Sequence, residues 1–189
     1  MKGLNINSVN TTPQDINFRK PFPEDGMAVF QLIEQCPPLD TNSVYCNLLQ
    51  CSHFADTSVA AHMAGQLVGF ISGYLIPERP ETLFVWQVAV AERARGMGLG
   101  TRMLTHILNR PQCRNVTHLE TTITETNSAS WALFRGLADK LDASLSTRVM
   151  FDQEIHFNGG HETEQLVRIG PVDRAALRRH ITENAAFAS

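Results

Sequence analysis

The sequence predicts an α/β fold of the α+β kind, one central sheet flanked by helices. Three observations predict it. Runs with an apolar residue at every second position alternate with segments whose apolar residues recur every three or four positions. Ala64-Gly65-Gln66 separates two short strand-like runs and reads as a hairpin, so part of the sheet is antiparallel. A glycine-rich stretch, RARGMGLGT, falls between a strand-like run and a helical one.

Residues 1–17 are polar and aperiodic and are expected to form a flexible tail. From Pro23 onward, Met27, Phe30, Leu32 and Ile33 recur at helical steps until Pro37-Pro38 stops them. Asp40, Thr41, Asn42 and Ser43 offer N-caps for a second helix carrying Val44, Leu48 and Leu49. TSVAAH and LVGFISGYL are the arms of the hairpin. PERPE reads as a loop into LFVWQVAV, where period two puts Phe84, Trp86, Val88 and Val90 on one face. Beyond the glycines, Leu99, Met103 and Ile107 line a helical stripe. HLETTIT is a strand, and NSASWALFRGLADKL is a helix capped by Asn127 or Ser128. SLSTRVMF is expected to close the core as a strand. A Gly159-Gly160 turn leads into HETEQLVRI, a final strand, and DRAALRRHI suits a short amphipathic helix. With no repeat and no linker, residues 18–170 are expected to form one domain and 171–189 a C-terminal extension.

At 189 residues, with 43% hydrophobic and 19% charged, the chain has the balance of a globular domain with a real core. Sixteen basic against nineteen acidic residues leave a net charge of −3 without a basic run, which argues against nucleic acid as a partner. No stretch approaches the length of a membrane span, and the N-terminus lacks the apolar core of a signal peptide. Cys36, Cys46, Cys51 and Cys113 contain no CxxC pair and suggest no disulfide framework. A reduced, cytoplasmic domain that needs no metal is expected.

The glycine loop admits several readings. A Walker loop ends Gly-Lys-Ser/Thr, and this one ends Gly100-Thr101 with no lysine. The dinucleotide fingerprint is GxGxxG, whereas the spacing here is Gly96, Gly98, Gly100. A strand, then Arg-x-x-Gly-x-Gly, then a helix suits a pyrophosphate, because bare backbone N–H groups and a helix N-terminus meet there. A plain strand-to-helix turn is the bland alternative.

The order helix, helix, hairpin, strand, glycine loop, helix, strand, helix, strand resembles the GNAT superfamily of acetyl-CoA-dependent N-acetyltransferases. The family's loop Q/R-x-x-G-x-G/A matches Arg95, Gly98 and Gly100, and its helix motif N-x-x-A/S-x-x-L-Y/F matches Asn127, Ser130, Leu133 and Phe134. The resemblance covers roughly residues 18 to 152. It implies a mixed, mostly antiparallel sheet that splays into a V, with acetyl-CoA as co-substrate. It places Val88, Ala89 and Val90 against pantetheine, and Arg95, Gly96, Met97, Gly98, Leu99, Gly100 and Thr101 around pyrophosphate. Asn127, Ser130 and Phe134 join them on the cofactor side. The implied chemistry is direct attack of a neutral amine on the thioester, which needs a proton acceptor. One departure stands out. Many members carry a tyrosine that protonates the leaving thiolate, and here Phe134 cannot donate.

Further stretches, among them CPPLDTNSVYCNLLQCSHFADTSVAA, FVWQVAV, TTITETNSASWALFRGLA and GGHETEQL, are similar to the family that acetylates L-2,4-diaminobutyrate on the way to ectoine. That resemblance implies transfer of acetyl to the γ-amine, and a homodimer. Asp40 suits a helix N-cap equally well, but the resemblance favours substrate binding. Tyr45 is either ordinary packing or a pocket residue able to replace the missing tyrosine. Trp86 reads by default as core, and by fold position as a wall of the acceptor pocket. Glu120 is a carboxylate inside a β-rich run. A solvated sheet face would explain it, but its strand borders the acceptor, so it is expected to bind the ammonium and to act as base. His161 and Glu164 do not form a zinc helix, since HExxH would need histidine where Gln165 stands. The resemblance sets them over the acceptor site. Two other readings stay open: an acetyltransferase for another small amine, such as a polyamine, an aminoglycoside or an ornithine-like compound, and a non-catalytic acyl-CoA-binding module.

Overall fold

The computed structural model describes residues 16–179. Most of the expected tail and residues 180–189 of the expected extension lie outside the described residues. Seven strands form one open sheet in the order β1-β2-β3-β4-β5-β7-β6. These are β1 (Ile16–Arg19), β2 (Val59–Met63), β3 (Gln66–Ile76), β4 (Arg79–Val90), β5 (His118–Thr124), β6 (Leu145–Phe151) and β7 (Glu164–Ile169). Only β4 and β5 run parallel. β1 begins within the stretch expected to be a tail. Its residues pair with β2 from Ile16↔Met63 to Arg19↔Ala60.

The β2–β3 turn forms where the sequence places it. Ala64 and Gly65 both take positive φ, 50° and 76°, the mirror-image turn whose twist suits a two-residue hairpin. Helices α1 (Gly26–Glu34) and α2 (Val44–Ser52) lie on one face of the sheet, where Val29, Ile33 and Cys51 pack with Phe70 and Ala89. The expected stripes need correction. In α1, Met27 is exposed and Val29 is buried in its place. In α2, Leu48 is exposed while Asn47 and Gln50 are buried and hydrogen-bond each other at 3.1 Å.

Helices α3 (Leu99–Leu108) and α4 (Ser128–Lys140) cover the other face. Met103, Leu104, Ile107, Leu137 and Leu141 meet Leu119, Ile123 and Val167 there. A short helix, α5 (Gln153–Phe157), which the periodicity does not announce, links β6 to β7. β7 inserts between β5 and β6, so SLSTRVMF is an exposed edge and does not close the core. The segment after Ile169 is helical over 174–179, inside the stretch expected to carry a short helix. Val172 and Leu177 enter the main core, and Arg174 donates to the carbonyls of Leu108, Cys113 and Val116.

Two features of β4 shape the functional region. Its pairing with β5 is confined to Thr82↔His118, Leu83↔Leu119 and Phe84↔Glu120, after which the two strands part. Opposite β3, Gly73 pairs with Val85 and Ser72 with Gln87, so Trp86 is an extra residue, a β-bulge. A bulge shifts side-chain alternation by one. Phe84, Trp86, Val88 and Val90 therefore do not share one face, as strict period two would have it. Across from the bulge the space is tight: a Cβ on Gly73 would stand 2.8 Å from the Phe84 carbonyl oxygen.

Candidate active site

Two cavities open where β4 and β5 part. The first, of about 570 Å³, lies between the end of β4, the glycine loop and the first turn of α4. Ala91 N–H donates to the Val68 carbonyl at 2.8 Å, so alternation turns the peptide groups of Val90 and Val88 to the free edge of β4. Both residues line the cavity. The Val90 carbonyl accepts from Arg95 Nε at 3.3 Å and from the Cys36 thiol at 3.4 Å. Beyond Phe84 no strand pairs with this edge, so apart from the Val90 carbonyl it can pair with an amide-bearing chain. Ala89 is the exception among the three residues expected there. It pairs with Phe70 of β3, and its side chain points into the α1 core.

The glycines of the loop have different reasons. Gly96 and Gly98 have φ of 77° and 64°, and an added Cβ would meet nothing within 4 Å at either. Their backbones are shaped for open space, and Gly98 is the N-cap residue of α3. Gly100 lets two helices approach, since a Cβ there would stand 3.0 Å from Leu133. Arg95, Leu99, Thr101, Asn127 and Ser130 line this cavity as expected, whereas Met97 packs against the main core without lining it.

The second cavity, of about 490 Å³, adjoins the first. The structure brings four of the expected residues together around it: Asp40, Trp86, His161 and Glu164. The α5 turn delivers His161. Asp152 caps α5 by accepting from the N–H groups of Glu154 and Ile155, and Asn158 and Gly159 end it with positive φ. The His161 ring packs on Phe157 at 4.7 Å, and its Nδ1 lies 2.7 Å from the Glu162 carbonyl oxygen. A carbonyl only accepts, so Nδ1 carries a proton. The other ring nitrogen stands 3.6 Å from Asp40 Oδ2 and 3.8 Å from Glu164 Oε1, bridging the two carboxylates.

Burial pushes the Glu164 carboxyl above its usual value, against an opposing hydrogen bond from Thr122. Its Oε2 is buried and has no hydrogen-bond partner. With Asp40, Glu162 and Glu164 around it and His161 as the ionisable counterweight, the cavity is suited to a cation.

Two expected residues lie elsewhere. Tyr45 is 70% exposed on α2 and lines neither cavity. Glu120 is 3% exposed but belongs to a separate hollow with Arg79, Arg148 and Arg168. Arg79 holds both its oxygens, at 2.7 and 2.8 Å, and Arg168 donates to Oε1 as well. The Arg79 hydrogen bonds, joined by Arg168, outweigh burial and hold this carboxyl below its usual range. A carboxylate so satisfied is a poor proton acceptor, which corrects the expectation of a base at Glu120.

Gln87 escapes a reading from pattern alone. The bulge brings it to the cavity beside Trp86, where its Nε2 donates to the Asp40 carbonyl at 2.8 Å and its Oε1 accepts from Asn42 at 3.1 Å. It ties the loop before α2 to the sheet. The sequence carried one signal for it, a glutamine inside an apolar strand, which burial obliges to find partners.

A bare strand edge beside a glycine loop can hold a thioester cofactor and the adjoining acidic cavity an amine, which is the layout that acyl-CoA-dependent amine acetyltransferases need. Residues 23–138 match the acetyltransferase (GNAT) family, to which the chain belongs. Within it the similarity narrows. The chain is 60% identical over 156 residues to the L-2,4-diaminobutyric acid acetyltransferase of Methylotuvimicrobium alcaliphilum, covering 82% of this chain and 91% of that protein. It is 49% identical to the enzyme of the same name from Halomonas elongata, over 81% of this chain and 80% of that protein. Among solved structures, diaminobutyrate acetyltransferase EctA from Paenibacillus lautus, in complex with its substrate L-2,4-diaminobutyric acid and coenzyme A, superimposes with a TM-score of 0.81 at 40% identity. The match covers 86% of this chain and 96% of that one. Ard1 from Thermoplasma volcanium, at 16% identity and a TM-score of 0.68, shares the fold.

Proposed function

We propose that this protein transfers the acetyl group of acetyl-CoA to the γ-amine of L-2,4-diaminobutyrate, giving Nγ-acetyl-L-2,4-diaminobutyrate for ectoine biosynthesis. The observation that carries the reading is the acidic cavity adjoining the cofactor groove, in a chain similar over 82% and 86% of its length to enzymes named for this substrate. Pantetheine pairs with the free edge of β4 at Val88 and Val90, and the pyrophosphate lies on the loop from Arg95 to Thr101. Asp40 and Glu164, joined through His161, receive the ammonium groups, and Trp86 forms the wall. Glu164 accepts a proton from the reacting ammonium, because its pKa is raised and its Oε2 is unpartnered. The neutral amine then attacks the thioester carbonyl, held close by two adjoining cavities, and no acyl-enzyme forms.

The domain doing this corresponds to residues 18–170, joined at its ends by β1 and the segment beyond Ile169. Four free cysteines fit a reducing, cytoplasmic setting: burial pushes Cys51 up to about 12 and Cys113 up to about 11, keeping both as thiols. Among the described residues no helix is long and apolar enough to cross a membrane. A homodimer is supported by the edge strand β6 and α5, which leave the apolar side chains of Val149, Phe151 and Ile155 exposed. Light scattering behind size exclusion tests it, and a monomer at all concentrations would overturn it.

The deciding experiment measures thiol release from acetyl-CoA with L-2,4-diaminobutyrate beside ornithine, lysine and 1,3-diaminopropane, with NMR of the product. Preference for diaminobutyrate with acetyl on the γ-nitrogen is expected. Equal turnover of 1,3-diaminopropane would mean that the α-carboxylate is not read and the substrate is another small amine. Coenzyme A binding without turnover of any amine would leave only a binding module.

A further inference from the structure

The thioester must lie at the seam between the two cavities, because acetyl enters through one and departs into the other. Pro38, Leu39, Val88, Asn127 and Ser130 line both. The first three have no side-chain donor. Asn127 Oδ1 accepts the Ser130 N–H at 3.1 Å as the cap of α4. The Ser130 hydroxyl takes part in no hydrogen bond among the described residues. Ser130 also stands one helical turn before Phe134, on the same side of α4.

A departing thiolate calls for a donor, and neither tyrosine of the chain supplies it. Tyr45 is exposed and Tyr74 packs among Phe54, Phe84 and Trp86, and neither lines either of the two cavities. Phe134 lines the acceptor cavity without a polar atom.

We propose that Ser130 serves the leaving sulfur. This inference rests on the acetyl-transfer reading above. When the tetrahedral adduct collapses, the C–S bond breaks and its electron pair stays on sulfur. The Ser130 hydroxyl gives its proton to that sulfur and takes one from the adduct nitrogen, which sheds it as the amide forms. Serine ends as it began, and the products are the acetylated amine and the free thiol of coenzyme A. The N-terminus of α4 adds partial positive charge beside the sulfur while the bond breaks.

The test compares Ser130→Ala and Ser130→Thr with acetyl-CoA and with acetyl-seleno-CoA, whose selenolate is stable without a proton. Ser130→Ala should lower kcat with acetyl-CoA by roughly 10²-fold, the usual worth of a positioned acid, with both KM values near those of the native enzyme. It should lose little with the seleno donor, and Ser130→Thr, which keeps the hydroxyl, should recover most of the thioester rate. The ratio of the two rates within one preparation does not depend on how much of it is folded. Equal losses with the two donors, or no loss with either, would overturn the role of Ser130. Failure of the native enzyme to acetylate any diamine would instead overturn the acetyl-transfer reading.

Discussion

Glu120 and Glu164 stand on one face of the same sheet and have opposite surroundings. Glu164 pairs in register with Thr124, four residues along β5 from Glu120, so both side chains project to the same side, offset by about 13 Å along the strand direction. Glu120 sits opposite Arg168 and beside Arg79, and its charge is fully answered. Glu164 sits opposite a threonine, half-buried, with one oxygen unpartnered and a histidine 3.8 Å from the other. The first arrangement lowers a pKa and the second raises one. A carboxylate in a strand says nothing of its role until its cross-strand neighbours are known.

The sharpest way to break this comparison is to neutralise Glu164. Glu164→Gln should cut kcat by 10²- to 10³-fold, roughly the worth of a general base, with coenzyme A affinity unchanged by calorimetry. The pH dependence carries the same sign. A base acts when deprotonated, so a raised pKa sets the acid limb of kcat/KM above the ordinary carboxylate value, and Glu164→Gln should flatten that limb. Gly98→Leu tests the cofactor side. Its left-handed φ of 64° and the open space beside it are both lost, and coenzyme A affinity should fall by roughly thirtyfold, about 2 kcal/mol. Gln87→Leu removes two hydrogen bonds from the loop carrying Asp40, and should raise KM for the amine roughly tenfold while leaving KM for acetyl-CoA alone.

The smallest effect on rate is expected at Glu120. Glu120→Gln should lower stability by about 2 kcal/mol in denaturant titrations and leave kcat of the folded enzyme near native. A folded-state pKa below the unfolded one stabilises above the ordinary carboxylate range, and this is lost as pH falls through the lowered value. The gap in stability between native and Glu120→Gln should therefore close in acid. A collapse of kcat in Glu120→Gln at neutral pH, with stability intact, would reverse the assignment of the two carboxylates.

The legible parts of the site were those written in contiguous residues. The glycine loop, the Asn127 cap and the strand HLETTIT each depend on a few neighbours, and β5 and α4 occupy the spans read from the pattern. Asp40, His161 and Glu164 were set at the acceptor site by the resemblance, but not the histidine that bridges the two carboxylates, since β7 reaches Asp40 only through its place beside β5. Tyr45 misled because helical spacing alone does not say which side of α2 meets the sheet. α2 buries Asn47 and Gln50, against the polarity that a stripe relies on.

The sequence by itself determined the alternation of elements, the hairpin turn, the loop that leaves backbone bare for an anion, and the family these make. Those depend on φ preferences, capping and periodicity, which act over a few residues. The tertiary structure decided which carboxylate is free and which is clamped, that Trp86 and Gln87 reach one cavity, and that Ser130 stands at the seam. Those depend on the order β5-β7-β6, on register, and on one extra residue in β4. Each is a choice among distant pairings, settled when strands far apart in the chain bury a common core.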